Sequence, residues 1–302
     1  MSTDTSEIAA HLSDEGLERS AFARLAVEAI AVARGIKPAA RFTAPRDRAQ
    51  EFCKVLTRSG METAEYNPEP EEWGYRHATR AERRARSVCD VRVYYAPSKT
   101  ELDAVLEMQR AKDEPELGRM LGYPDCCVGI NSLFTSLPMT DMVRVARAAG
   151  ARDWRLNVFL TEMDVGLGSP YYLISHFPCR LSCPASIGYA HSVFEAVSEA
   201  VPRFADQLQC LLSLPVLLRD ERKPPDSRRY GNFGCLLHGI TVDDNVFYDT
   251  WRSLRLSDNL EDAALDRADC LTRDGFDINL LRARTGEVVN RLDGERWQLV
   301  TF

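Results

Sequence analysis

The sequence predicts a mixed α+β protein, on three observations. Apolar residues recur at helical spacing in residues 22–34. Residues 88–95 alternate and are rich in β-branched and aromatic side chains, which is typical of a strand. After residue 223, short strand-like segments are separated by turn-forming residues. Together these patterns predict a small α/β N-terminal part, a helix-rich middle and a β-rich C-terminal part.

The N-terminal α/β region is predicted to cover residues 1–112. Its predicted helices lie over residues 22–34, 46–59 and 99–110. Ser98 is placed to cap the third helix, because a serine hydroxyl can accept a free backbone N–H at a helix start. The Pro- and Glu-rich stretch at residues 62–73 is interpreted as a connection, and the strand over residues 88–95 follows it.

The middle region, predicted over residues 113–222, is helical and carries four cysteines. A short helix over residues 116–121 closes at Gly122, and Asp125 is a candidate N-cap for a helix that runs to residue 133. Further helices are predicted over residues 139–149, 185–201 and 202–218.

The C-terminal region, predicted over residues 223–302, is a β-rich subdomain. One hairpin pairs residues 235–240 with 245–251 around Asp243 and Asp244. A second pairs residues 277–284 with 287–292 around Thr285 and Gly286, and residues 296–302 add a further strand.

Composition narrows the function classes. The chain has 302 residues and a formal net charge of -7, which argues against a nucleic-acid partner because phosphate contacts need clustered basic residues. No stretch approaches about 18 consecutive apolar residues, so no membrane partner is expected. The polar, acidic start at residues 1–7 does not resemble a signal peptide. These features predict a soluble, cytoplasmic protein.

Four of the nine cysteines form two close pairs, Cys126 with Cys127 and Cys179 with Cys183. An odd number of cysteines without a secretion signal disfavours a disulfide framework. Each pair follows a proline and leads into a predicted helix, whose free N–H groups and dipole favour thiolates. Four thiolates are the ligand set of a zinc site or an iron–sulfur cluster.

The spacing of the two pairs bears on the choice of metal. Cys179 and Cys183 have the spacing of a zinc knuckle, but the adjacent Cys126 and Cys127 do not. Neighbours on a helix point about 100° apart and reach two corners of a larger cluster more easily than one small ion. This favours an iron–sulfur cluster, with 4Fe–4S preferred, and leaves zinc as the alternative. Packing of the thiols in the core and a metal-free reactive dithiol or disulfide also stay open.

Two short motifs carry a resemblance. Residues 122–127 read GYPDCC, and residues 176–186 read HFPCRLSCPAS. Over roughly residues 90–200 the chain resembles an uncharacterised prokaryotic family with a GYPxCC signature followed by HxPCxxxC and a serine. The matched positions are Gly122, Tyr123, Pro124, Cys126, Cys127, His176, Pro178, Cys179, Cys183 and Ser186. The resemblance implies shared ligands rather than a known shared chemistry.

Two functions remain open at this point. In the first, the protein is an iron–sulfur enzyme acting on a small molecule, through redox or sulfur-transfer chemistry in a biosynthetic pathway, with an electron-donor protein as a possible partner. Candidate catalytic residues are His176, Tyr123 and Arg180, with structural roles as the alternative for each. In the second, a four-cysteine zinc site stabilises a non-catalytic binding or scaffold module.

Overall fold

The mixed α+β class is confirmed by a computed structural model. It describes residues 5–13, 22–69, 90–133, 145, 151–158, 171–219, 233–236, 239–242, 245–248, 254–255, 267–274, 277–292 and 297–301. The α-helices in these ranges are α1 Ser6–Ala10, α2 Ala23–Ala33, α3 Ala49–Arg58, α4 Lys99–Ala111, α5 Glu114–Met120, α6 Asp125–Leu133, α7 Pro184–Ala200 and α8 Pro202–Leu212. A short 3₁₀ helix covers Trp154–Leu156.

The strands in the described ranges form three antiparallel sheets. They are β1 Ala40–Pro45, β2 Glu62–Tyr66, β3 Asp90–Ala96, β4 Val216–Arg219, β5 Phe233–Leu236, β6 Gly239–Val242, β7 Asn245–Tyr248, β8 Leu254–Arg255, β9 Cys270–Asp274, β10 Asp277–Arg282, β11 Glu287–Leu292 and β12 Trp297–Val300. The chain divides into two compact units. The first contains residues 1–137, 173–179 and 184–208, and the second contains residues 138–172, 180–183 and 209–302. The boundaries predicted at residues 112 and 222 stay a prediction.

In the first unit, β3 is the centre of a sheet with the order β1-β3-β2. The sequence predicted β3, but it did not predict β1, and the connection predicted at residues 62–73 is wrong over β2. β2 has the sequence ETAEY and is partly exposed at an edge, so it lacks the apolar alternation of a half-buried strand. It is recognisable only from its pairing with β3, from Glu62 opposite Ala96 to Tyr66 opposite Arg92.

Helix α4 covers this sheet and begins where the sequence predicted. The Ser98 Oγ accepts the Glu101 backbone N–H at 3.3 Å, so Ser98 is the N-cap. Buried side chains of α4 pack with those of β3 and α5 in one core cluster, which contains Ala39, Tyr94, Ala96, Leu102, Val105, Leu106, Leu117 and Leu121. This core supports the turn after α5 that precedes the first cysteine pair.

Helices α2, α3 and α7 lie where apolar periodicity predicted helices. The continuous helix predicted over residues 202–218 is wrong at its end. α8 stops at Leu212, and β4 then pairs with both β5 and β12. The run of leucines and valine that suggested a helix is instead a strand buried in a sheet, a case that periodicity alone does not separate.

The second unit carries the predicted β-rich part. Its two other sheets have the orders β11-β10-β9-β7-β6 and β12-β4-β5-β8. The predicted hairpin β10–β11 is present. The hairpin β6–β7 is also present, but the first strand predicted for it, over residues 235–240, is wrong at its start, because Cys235 and Leu236 belong to β5 in the other sheet. In the second hairpin Gly286 has φ +70°, a conformation that glycine adopts without strain. The core of this unit contains Leu217, Val246, Ala268, Leu271, Ile278, Leu280, Leu292 and Leu299.

Some predictions lie outside the described residues. They concern the start of the C-terminal region predicted from residue 223 and most of the helix predicted over residues 139–149. Among the described helices, none combines the length and the apolar character that crossing a bilayer requires.

Candidate metal centre

The first cysteine pair lies in the first turn of α6. The chain turns at Gly122, and the Pro124 carbonyl then accepts the backbone N–H of Cys127 at 2.8 Å and of Val128 at 2.9 Å. Asp125 was predicted as the N-cap of this helix, but it is the first helical residue, so that detail is corrected. An acidic residue in the first turn still favours the helix through its dipole.

Adjacent positions on α6 give the two thiols different surroundings. Cys126 is exposed, whereas Cys127 has no exposed surface. Their Sγ atoms are 3.9 Å apart. The pair therefore presents one sulfur inside the protein and one at its surface.

The second pair lies on the loop that leads into α7. The Cys183 backbone N–H donates to the Arg180 carbonyl at 3.1 Å, which closes a turn between the two cysteines. Pro184 is the first residue of α7, a position where the missing N–H costs nothing. Cys179 is half-buried and Cys183 is buried.

The structure brings all four predicted ligands together. The Sγ atoms of Cys126, Cys127, Cys179 and Cys183 all lie within 4.8 Å of one another, so this group can hold a metal ion. In addition, the Cys179 backbone N–H donates to the Cys127 Sγ at 3.3 Å. Hydrogen bonds of this kind stabilise the charged form of a sulfur. Within the described ranges, no other set of three or more histidine, cysteine or acidic residues is arranged to bind a metal.

A chain of polar contacts leads from Cys127 into the protein. The Ser186 Oγ is 3.2 Å from the Cys127 Sγ and 3.0 Å from the His176 Nε2. Ser186 has no exposed surface and His176 is 5% exposed. The His176 Nδ1 has no hydrogen-bond partner in the described part of the chain. The His176 ring contacts Tyr123, with the ring centres 5.1 Å apart.

A buried ion pair acts electrostatically on His176. The Lys37 Nζ donates to the Glu28 Oε1 at 2.7 Å, and the two side chains are 1% and 9% exposed. Burial has the largest single effect and opposes the charged form of Lys37, but the charge and hydrogen bond of the Glu28 carboxylate, together with Tyr189 and Tyr123, raise the pKa of Lys37 overall. Burial and the Lys37 ammonium lower the pKa of His176 to about 3, so this imidazole is neutral near neutral pH. Burial also raises the pKa of the neighbouring Tyr189 to about 12.

The three residues predicted to be catalytic are placed differently. His176 and Tyr123 lie against each other next to Ser186, whereas Arg180 is exposed on the turn between the cysteines of the second pair. The sequence did not predict the Glu28–Lys37 pair or the position of Tyr189. The sequence does not indicate that a lysine nine residues after a glutamate is buried against it, because that contact depends on how α2 packs.

Gly122 is the tightest point of the turn before the first cysteine pair. Its φ is +79°, and a Cβ there would lie 2.8 Å from the Lys37 Cβ. We expect Gly122→Ala to lower the free energy of unfolding by about 2–4 kcal/mol, because backbone strain adds to a clash that Lys37 cannot relieve. Chemical denaturation measures this.

Gly188→Ala is the matched control for that substitution. Gly188 lies in α7, and a Cβ there would meet nothing within 4 Å. We expect this variant to be as stable as the wild type or up to about 1 kcal/mol more stable, because alanine is the better helix former. Equal stability of the two variants would contradict the role given to Gly122.

No protein-family model matches this chain, and no curated protein or solved structure matches it either. The resemblance to the GYPxCC family therefore stays a prediction. What is known of the site rests on the geometry of its residues.

Proposed function

We propose that Cys126, Cys127, Cys179 and Cys183 bind one zinc ion as thiolates and that this centre holds the loop before α7 against α6. The donor set fits, because four cysteine sulfurs are a standard ligand set of structural zinc. Two of the four sulfurs are buried, and the Cys179 N–H already points at the Cys127 Sγ.

The spacing of the sulfurs carries the proposal. Tetrahedral zinc with Zn–S bonds of about 2.3 Å has its sulfurs about 3.8 Å apart. In a four-iron cluster each cysteine binds a different iron, and the sulfurs lie roughly 6 Å apart. The four Sγ atoms here lie within 4.8 Å of one another, and the Cys126–Cys127 distance is 3.9 Å. The short distances between the sulfurs support a single metal ion. The adjacent positions of Cys126 and Cys127 in the sequence had instead favoured an iron–sulfur cluster.

An iron–sulfur enzyme is the second candidate, and two observations favour it. Cys126 is exposed, so the centre has an edge that a small molecule or an electron-donor protein can reach. His176, Lys37 and Tyr189 place buried polar groups in the same region, which a purely structural centre does not need. In that case the cluster would supply redox or sulfur-transfer chemistry to a small-molecule substrate.

Metal and acid-labile sulfide analysis of protein purified without oxygen tests both candidates. We expect one zinc per chain and no sulfide. About four irons with four sulfides and a brown colour would overturn the zinc centre in favour of the cluster. A protein with neither metal would overturn both.

Substitution of single cysteines tests the ligand assignment. We expect Cys183→Ser to bind zinc at least tenfold less tightly than the wild type, because the ion loses one of its four thiolate ligands. Cys210→Ser is the matched control, since Cys210 is exposed on α8 and lies outside the four-cysteine group. Unchanged metal binding in Cys183→Ser would remove Cys183 from the site.

A further inference from the structure

The Ser186 hydroxyl has two hydrogen-bond neighbours but only one hydrogen to donate. The hydroxyl lies within hydrogen-bond distance of both the Cys127 Sγ and the His176 Nε2, and Ser186 is fully buried. A serine hydroxyl has one hydrogen and can accept others. It can therefore donate to only one of these two neighbours, and the other neighbour must supply its own hydrogen.

A bound metal decides the direction of both hydrogen bonds. A cysteine that ligates a metal is a thiolate and carries no hydrogen. Ser186 must then donate to the Cys127 Sγ, and the ring of His176 must donate to Ser186 through Nε2–H. A neutral imidazole has one N–H, so Nδ1 carries a lone pair and no hydrogen.

We propose that metal binding orients the chain Cys127–Ser186–His176 in this direction and makes the His176 Nδ1 an acceptor site for the O–H group of a small molecule or a bound water. The inference rests on the proposed metal centre, but it holds for any metal that takes Cys127 as a thiolate. Ser186 is a positioning residue in it, and His176 is the ligand-binding residue.

The surroundings of Nδ1 favour an O–H group. Nδ1 is buried and has no partner among the described residues, a cost that a donor from outside the chain would remove. An O–H group can donate to Nδ1 and accept hydrogen bonds in return, whereas an anion without a hydrogen has nothing to donate there.

Nitrogen NMR of the intact, zinc-loaded protein tests the direction of the chain. Long-range proton–nitrogen correlations distinguish a ring nitrogen with a hydrogen from one without. We expect the His176 Nε2 to carry the hydrogen and Nδ1 to be bare. A hydrogen on Nδ1 in a protein that binds zinc would overturn the inference and leave the metal centre intact. A protein that binds no metal would overturn both.

Two substitutions separate this role from mere packing. Ser186→Ala removes the hydroxyl, so we expect roughly tenfold weaker zinc binding and loss of the Nε2–H preference, as for groups that support a metal ligand. His176→Gln keeps an N–H where Nε2 stood but has no acceptor in place of Nδ1. We expect it to keep zinc affinity within about threefold of the wild type. Weakened binding in His176→Gln alone, with Ser186→Ala unaffected, would contradict the chain.

A high-resolution crystal structure of the zinc-loaded protein identifies what occupies the acceptor site. A single oxygen within hydrogen-bond distance of Nδ1 would identify a water, and extended density would identify a small molecule. Either result supports an acceptor that receives an O–H group. A site with no atom within hydrogen-bond distance of Nδ1 would overturn it.

Discussion

Removing the metal with a chelator is expected to lower the free energy of unfolding by about 4 kcal/mol, relative to protein kept with free zinc at a thousandfold excess over its dissociation constant. The reason is linkage: an ion that binds only the folded state stabilises it, and the four sulfurs come from two segments about fifty residues apart in the sequence. Chemical denaturation with and without the chelator, followed by circular dichroism, measures the difference.

Cys127→Ser should reproduce that loss and make the protein insensitive to the chelator. Cys127 is the most enclosed ligand, with the Ser186 Oγ and the Cys179 N–H both at its sulfur. A variant that cannot hold the metal has nothing for the chelator to remove. Cys210→Ser should keep the full chelator effect. A wild-type protein that is equally stable with and without the chelator would contradict a stabilising metal centre.

Glu28→Gln is expected to lower the free energy of unfolding by about 3–5 kcal/mol, because it leaves a buried ammonium without its counter-charge. The Lys37 side chain is 1% exposed, and its Nζ is 2.7 Å from the Glu28 carboxylate. Thermal or chemical denaturation at neutral pH, with the circular dichroism of the folded state as a check, measures the loss.

The pair formed by Arg34 and Glu199 provides the matched control. Arg34 follows the same helix as Glu28, but this pair is separated by 3.3 Å at the surface, with side chains 43% and 67% exposed. Glu199→Gln should therefore cost less than about 1 kcal/mol. Equal losses in the free energy of unfolding for the two substitutions would show that burial of the Glu28–Lys37 pair does not cause the loss in Glu28→Gln.

The pH dependence of Glu28→Gln identifies the cause of its effect. Without the carboxylate, burial becomes the main influence on Lys37 and favours a pKa in the folded state below that of the unfolded chain. The unfolded chain then binds more protons than the folded one up to the ordinary lysine pKa of about 10.4, so stability rises with pH in that range. The defect of Glu28→Gln should shrink between pH 7 and 9. A defect that stays constant would point to lost packing.

A double substitution tests the same point from the other side. Glu28→Leu with Lys37→Met removes both charges and keeps apolar volume. Replacing a buried ion pair in this way is often close to neutral. We expect most of the stability lost in Glu28→Gln to return in this double variant. A double variant as unstable as Glu28→Gln would show that the pair itself stabilises the fold.

The ligands of the candidate metal centre could be predicted from sequence because their signals are local. Cysteines that follow a proline and open a helix are visible over a few residues, as is a serine cap such as Ser98. The same holds for the turn at Gly286, where a glycine between two alternating segments marks a hairpin. In each case the deciding forces act between residues close in the chain.

Two strands, β2 and β4, could not be predicted in this way. β2 is polar and partly exposed, and the apolar residues of β4 continue the pattern of the helix predicted before it. Neither segment therefore shows a strand pattern of its own. Both are strands because of hydrogen bonds to partners distant in sequence. Backbone pairing with such partners outweighs local preference.

The sequence by itself determined the fold class, most of the helices and the four thiols that come together as a candidate metal centre. Only the tertiary structure decided how close the sulfurs lie, that Ser186 links Cys127 to His176, and that Lys37 is buried with Glu28. The physical reason is how far apart in the chain the interacting residues lie. Helix starts, caps and turns depend on neighbours within a few residues, whereas sulfur spacing, the burial of a charge and the partner of a buried hydroxyl depend on how distant segments pack.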